Sequence, residues 1–163
     1  MTRFFEDVPI GEEIALGSHA FDAEAIKDFA RQFDPQPFHL DEEAAAHSLF
    51  GGLAASGWHT AAGWMTCFVA WRKREAEEMA ARGERLARPG PSPGFRDMKW
   101  LKPVHPGDTI SYRARVIDKV ELRSRPEWGL VVSLNEGFNQ KGELVFSFVG
   151  QVMTERRAAP VRP

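Results

Sequence analysis

The chain has 163 residues, 43% of them hydrophobic and 27% charged, with a formal net charge of -2. One hydrophobic core serves a chain of this size, so a single globular domain is expected. The charge balance excludes the broad basic surface that a nucleic-acid backbone demands, and the lone cysteine, Cys67, excludes an intramolecular disulfide.

No apolar run approaches the ~20 residues of a membrane span. The opening Met-Thr-Arg-Phe-Phe-Glu-Asp reaches acids at once, without the apolar stretch of a signal segment. A cytoplasmic protein with no membrane partner is the expectation. Cys67 stands among Met65, Phe68 and Val69 and reads as a small buried hydrophobe.

Residues 4–21 read as a first strand, a turn at Pro9-Ile10-Gly11 and a second strand from Ile14. Asp22 is a candidate N-cap. Behind it, Ile26, Phe29, Ala30 and Phe33 fall on one face of a helix. Pro35 and Pro37 stop that helix, since neither can donate an amide to its continuation. Asp41 can cap a short helix ending near His47, and Gly51-Gly52 breaks it. Ser56 then caps the most apolar helix of the chain, from Gly57 to about Arg82. Its first half (Ala61, Ala62, Trp64, Met65, Phe68, Val69, Trp71) predicts burial on several sides, and its charged second half predicts solvent. Glycines and Pro89, Pro91 and Pro93 mark a loop over 83–94. Strands are expected at 95–101, 109–120, 130–138 and 143–153, with a hairpin loop at Asn139-Gln140-Lys141-Gly142. Residues 1–154 form the expected domain, and the proline-bearing segment 155–163 a frayed tail. Strands together with one long buried helix make an α+β protein, a sheet wrapped around the helix.

Asp34, His39 and Gly57 form the candidate site. A carboxylate and an imidazole can move protons and orient a water near neutral pH. The two lie five residues apart across two prolines, so the backbone between them is restrained. Gly57 opens a helix, where amides have no intrahelical partner and can receive developing negative charge. Spacing alone leaves the bland reading open: Asp34 a turn residue, His39 a core histidine, Gly57 a turn glycine.

The segment Asp34-Pro35-Gln36-Pro37-Phe38-His39-Leu40-Asp41 resembles the Asp-x-Asn-Pro-x-His-x-Asp signature of MaoC-like dehydratases and (R)-specific enoyl-CoA hydratases. The eighteen-residue step from His39 to Gly57, the Leu101-Lys102-Pro103-Val104 and Pro106-Gly107-Asp108 segment, and the Asn139–Glu143 hairpin extend the likeness over residues 4–153. The resemblance implies a hot-dog fold, a homodimer or higher homo-oligomer, and reversible syn addition of water to a trans-2-enoyl-CoA, giving an (R)-3-hydroxyacyl-CoA. It also implies Asp34 and His39 as the catalytic pair and the Gly57 amide as the carbonyl-binding donor, with Ser56 and Trp58 as possible pocket residues. No metal and no cofactor is implied, coenzyme A entering as part of the acyl-CoA substrate. Two departures stand out: Ser56-Gly57 replaces the family's common His-Gly, and Gln36 replaces its Asn.

Other readings are weaker. Ser56 and His59, one turn apart, lack an orienting acid for a hydrolase triad. His39 and His47 fit no familiar metal spacing. Arg82, Arg85 and Arg88 are cations able to meet phosphates. A hot-dog thioesterase or a non-catalytic acyl-binding module is the alternative to a hydratase, but neither has need of both Asp34 and His39.

Overall fold

Five antiparallel strands and one 25-residue helix dominate residues 2–157, which the computed structural model describes. In chain order the elements are β1 (Glu13–Ala20), α1 (Ala23–Phe33), α2 (Pro37–Leu40), α3 (Glu42–Ala46), α4 (Gly57–Ala81), β2 (Gly94–Trp100), β3 (Thr109–Glu121), β4 (Trp128–Phe138) and β5 (Leu144–Glu155). The sheet order is β1-β3-β4-β5-β2, every pair antiparallel. This is the hot-dog arrangement: one sheet curls around α4.

Period-two burial sets which face meets the helix. Ile110, Tyr112, Ala114 and Val116 of β3 are buried while the residues between them are exposed. From that face the Tyr112 hydroxyl donates to the Thr60 carbonyl of α4 at 2.8 Å, and Phe148 of β5 meets the Trp64 ring of α4 edge-on at 4.7 Å. Helix starts follow their caps: Asp22 accepts from the Ala25 N–H and Asp41 from the Ala44 N–H, both at 2.8 Å.

Three expectations change. Residues 5–7 form a 3-10 turn rather than a strand. A strand would send Phe4 and Phe5 to opposite faces, but both are buried, with the Phe5 ring where a side chain at Gly129 would have to sit. The first half of α4 is buried along one face (His59, Thr60, Gly63, Trp64 and Cys67) rather than on several sides, and Trp58, Met65 and Val69 are about half exposed. The C-terminal segment is held further than expected. Glu155 is buried and ends β5, accepting from the Arg88 N–H and guanidinium, and Arg156 pairs with Glu6 and Glu121. The rest of the expected tail, 158–163, lies outside the described residues.

Candidate active site

The end of α1 is built by the residue that follows Asp34. A proline disfavours helical backbone in the residue before it, and Asp34 leaves the helix at φ -153°, ψ 68°. Pro37 then occupies the first turn of α2, where its missing N–H is no loss. This bend brings His39 back toward Asp34, with Nε2 3.5 Å from Oδ2. His39 is buried, and its Nδ1 lies 2.7 Å from the Ala54 carbonyl. A carbonyl only accepts, so Nδ1 carries the hydrogen and Nε2 is left toward the carboxylate.

Both Asp34 oxygens are held. Ser56 Oγ donates to Oδ2 at 2.6 Å and Gln36 Nε2 donates to Oδ1 at 2.8 Å. Partial burial pushes the Asp34 carboxyl up, but the Ser56 and Gln36 hydrogen bonds and the nearby His39 outweigh it and hold the group below its ordinary value. Asp34 is therefore an anion at neutral pH.

Ser56 also caps α4, accepting from the Trp58 N–H at 3.2 Å. It is fully buried and does not line the cleft or the adjoining apolar space, where it was expected as a possible pocket residue; its hydroxyl fastens Asp34 to the helix start. At Gly57 the N–H makes no hydrogen bond among the described residues, as the first turn of a helix allows. The carbonyl of Gly57 accepts from Trp100 Nε1 at 2.8 Å, and a Cβ at position 57 would fall 2.6 Å from the Trp100 ring. A side chain at position 57 would therefore displace the indole lying against the helix.

Asp34, His39, Gly57 and Trp58 line one cleft of about 390 Å³ together with Trp100 and the Leu101–Val104 segment. A second, apolar channel of about 230 Å³ runs between α4 and the sheet, bounded by Trp64, Phe68 and Phe148. Trp58 belongs to the walls of both. The arrangement offers an anionic oxygen, an imidazole nitrogen and an unpaired helix-start amide at one cleft, with an apolar space adjoining.

The sequence reading missed Trp100, whereas Gln36, noted there as a departure bearing on how Asp34 is oriented, does hold that carboxylate. Nothing local marks Trp100, because it meets Gly57 across 43 positions of chain. Arg82, Arg85 and Arg88 follow the far end of α4, roughly 37 Å from Gly57 at 1.5 Å per residue, and pair with Glu84 and Glu155. Among the described residues no three His, Cys, Asp or Glu side chains cluster to hold a metal, and no helix is long and apolar enough to cross a membrane.

Known proteins place this geometry in context. The family model described as MaoC like domain matches residues 6–130. A MaoC-like dehydratase from Rhodospirillum rubrum superimposes with a TM-score of 0.78 at 38% identity, over 96% of this chain and 99% of that one. The uncharacterized protein YdeM of Bacillus subtilis (strain 168) is 30% identical over 153 residues, 93% of this chain and 98% of its own length. A mesaconyl-CoA hydratase of Cereibacter sphaeroides shares 44% identity over 69 residues, 41% of this chain but 20% of that enzyme. The R-hydratase PhaJ1 from Pseudomonas aeruginosa, at 20% identity and a TM-score of 0.66 over 99% of this chain and 95% of its own, shares the fold. On the family match and the full-length likenesses together, the chain belongs to the MaoC-like family of hydratases and dehydratases.

Proposed function

We propose that the protein adds water reversibly across the double bond of a trans-2-enoyl-CoA, with Asp34 and His39 holding the water and the Gly57 N–H receiving the thioester carbonyl. The observation that carries this reading is the 3.5 Å approach of His39 Nε2 to Asp34 Oδ2 on the wall of the cleft that Gly57 also lines. A water seated between carboxylate and imidazole is oriented by two acceptors. As its oxygen bonds to C3, its proton passes to the pair and the C2–C3 π electrons move onto the thioester as an enolate. The pair then returns a proton to C2, and because it stands on one face of the substrate the addition is syn. Charge on the carbonyl oxygen is largest in the enolate, where one backbone donor contributes about 3 kcal/mol. All the groups required are side chains, backbone and substrate, with coenzyme A as part of the substrate and no other cofactor.

A homodimer is part of the proposal. The edge strand β2 and the open side of α4 expose Phe95, Trp100, Met65 and Val69, a combination of free strand edge and apolar surface that a second copy would cover. Such a unit would work in the cytoplasm.

Crotonyl-CoA and longer enoyl-CoAs test the reading directly, with enoyl absorbance and free thiol followed together. Loss of absorbance without thiol is the expected result. Thiol release would assign hydrolysis instead, and neither signal across a panel of branched and straight chains would leave only acyl binding. Asp34→Asn and His39→Ala should each lower turnover at least about a hundredfold. Full activity in either variant overturns the assignment of the pair.

A further inference from the structure

The central strand of a sheet is apolar where it meets a buried helix, and β4 departs from this. Asn135 pairs across the sheet with Ala114 on one side and Phe148 on the other, and Phe148 packs on Trp64 of α4. Asn135 therefore faces the helix. Ser133, two residues away, shares that face and pairs with Val116 and Gly150. Both Ser133 and Asn135 line the apolar channel.

Asn135 is only 3% exposed. One amide hydrogen is used, donated to the Ser133 carbonyl at 3.0 Å, and the rest of the amide makes no hydrogen bond among the described residues. Room is kept for it by Gly150, where a Cβ would stand 3.2 Å from Asn135 Nδ2 and 2.9 Å from the Phe148 ring. Trp64, on the opposite wall, has a buried indole N–H with no partner. Buried polar groups are normally paired, and leaving them unpaired in an apolar wall is unfavourable. That unpaired N–H, the buried Asn135 amide and the half-buried Ser133 hydroxyl around one channel describe a place for a polar atom.

We propose that Asn135, Ser133 and the Trp64 N–H form a hydrogen-bonding niche that selects acyl groups bearing a neutral oxygen, a hydroxyl or a carbonyl, some carbons beyond the thioester. This rests on the reading above, in which the thioester lies in the cleft, and adds that the acyl group passes Trp58, which lines both spaces, into the channel. A neutral oxygen fits better than a carboxylate, since none of the described side chains lining the channel is charged. An anion there would lose its hydration without gaining a cation. Selectivity should be strong in this direction, because a site built to hydrogen-bond a polar group rejects the analogue that lacks it.

Binding separates the niche from the chemistry. Saturated six- and eight-carbon acyl-CoAs, which hydration cannot consume, are titrated into the full chain and followed by tryptophan fluorescence or calorimetry. The set holds plain chains and the same chains with a terminal hydroxyl, a ketone or a terminal carboxylate. At one length, the hydroxyl or ketone ligand should bind at least about tenfold more tightly than the plain chain. Asn135→Leu should abolish that preference. Ser133→Ala, a smaller change that guards against a folding defect in the first variant, should lower it severalfold. Equal or tighter binding of plain chains at both lengths, tightest binding of the carboxylate, or a preference that survives both substitutions overturns the niche. If the preference stands while enoyl-CoAs are not hydrated, the hydratase reading falls and the niche remains.

Discussion

Ser56 Oγ donates to Asp34 Oδ2 at 2.6 Å while accepting from the Trp58 N–H at 3.2 Å, so one buried hydroxyl joins the candidate acid to the start of α4. Ser56→Ala removes the cap and one anchor of the carboxylate together. Loss of the cap should cost about 1 kcal/mol of stability, measurable by denaturant unfolding. The Asp34 carboxyl, now held low, should move up toward its ordinary value. An anionic Asp34 is required in the proposed reaction, so the acid limb of kcat/KM should shift to higher pH in the variant. An unmoved limb with reduced kcat would mean that the hydroxyl does not set the charge of Asp34.

Gly57 is constrained from outside the helix by the Trp100 ring, 2.6 Å from where a Cβ would be. Gly57→Ala must push Trp100 aside and break its bond to the Gly57 carbonyl, although the helix itself favours alanine over glycine. The expected result is a folded protein with altered tryptophan fluorescence and turnover lowered at least about tenfold, since placement of the carbonyl donor is disturbed. Trp100→Ala combined with Gly57→Ala should relieve the clash. Recovery of activity in the double variant would assign the damage to crowding rather than to the amide.

The elements that could be read in the sequence are those specified by local chemistry. Asp22, Asp41 and Ser56 are caps, and each accepts the backbone amide that a cap should. Alternation along β3 is strict because its other face meets solvent. The bend that joins Asp34 to His39 follows from Pro35 and Pro37. What could not be read depends on distant partners. Phe4 and Phe5 looked like strand residues because nothing nearby reveals that Gly129 leaves space for the Phe5 ring. Trp100 lies on the candidate site through tertiary packing alone. Asn135, read in sequence as one residue of a strand, gains its meaning only when β3 and β5 flank it and α4 covers it.

His59 gives the fold an acid-sensitive element. Its ring stacks on Phe29 at 4.5 Å and meets Phe21 edge-on, and its buried Nδ1 has no partner. Burial, with a smaller contribution from His19, pushes its pKa down to about 4. The unfolded chain, with a value near 6.5, then binds the extra proton first, so stability should be full above about pH 6.5 and fall progressively toward about pH 4. At about 1.4 kcal/mol per tenfold change in proton affinity, the ceiling on this loss is about 3 kcal/mol. His59→Phe keeps an aromatic ring against Phe29 and removes the titration. Its melting temperature should depend less on pH between 7 and 4.5 than that of the parent. Equal slopes in the two proteins would show that His59 is not buried neutral.

Trp58 stands between the cleft and the channel, half exposed, with its ring edge-on to Trp100 at 5.4 Å. A bulky indole at that point sets how wide an acyl group can be as it passes from one space to the other. The channel beyond, about 230 Å³, exceeds the ~150 Å³ cavity that takes a benzene-sized group, so several carbons fit once the passage is open. Trp58→Ala should therefore raise the kcat/KM ratio of eight-carbon to four-carbon enoyl-CoA by about tenfold or more, each methylene in such a pocket counting for about 1–3 kcal/mol. Trp58→Phe should fall between the two. The four-carbon substrate should lose affinity in the alanine variant, because the space that Trp58 vacates fills with water rather than acyl group. If chain-length preference is the same in all three proteins, the acyl group does not pass Trp58, and the cleft and the channel serve different ligands.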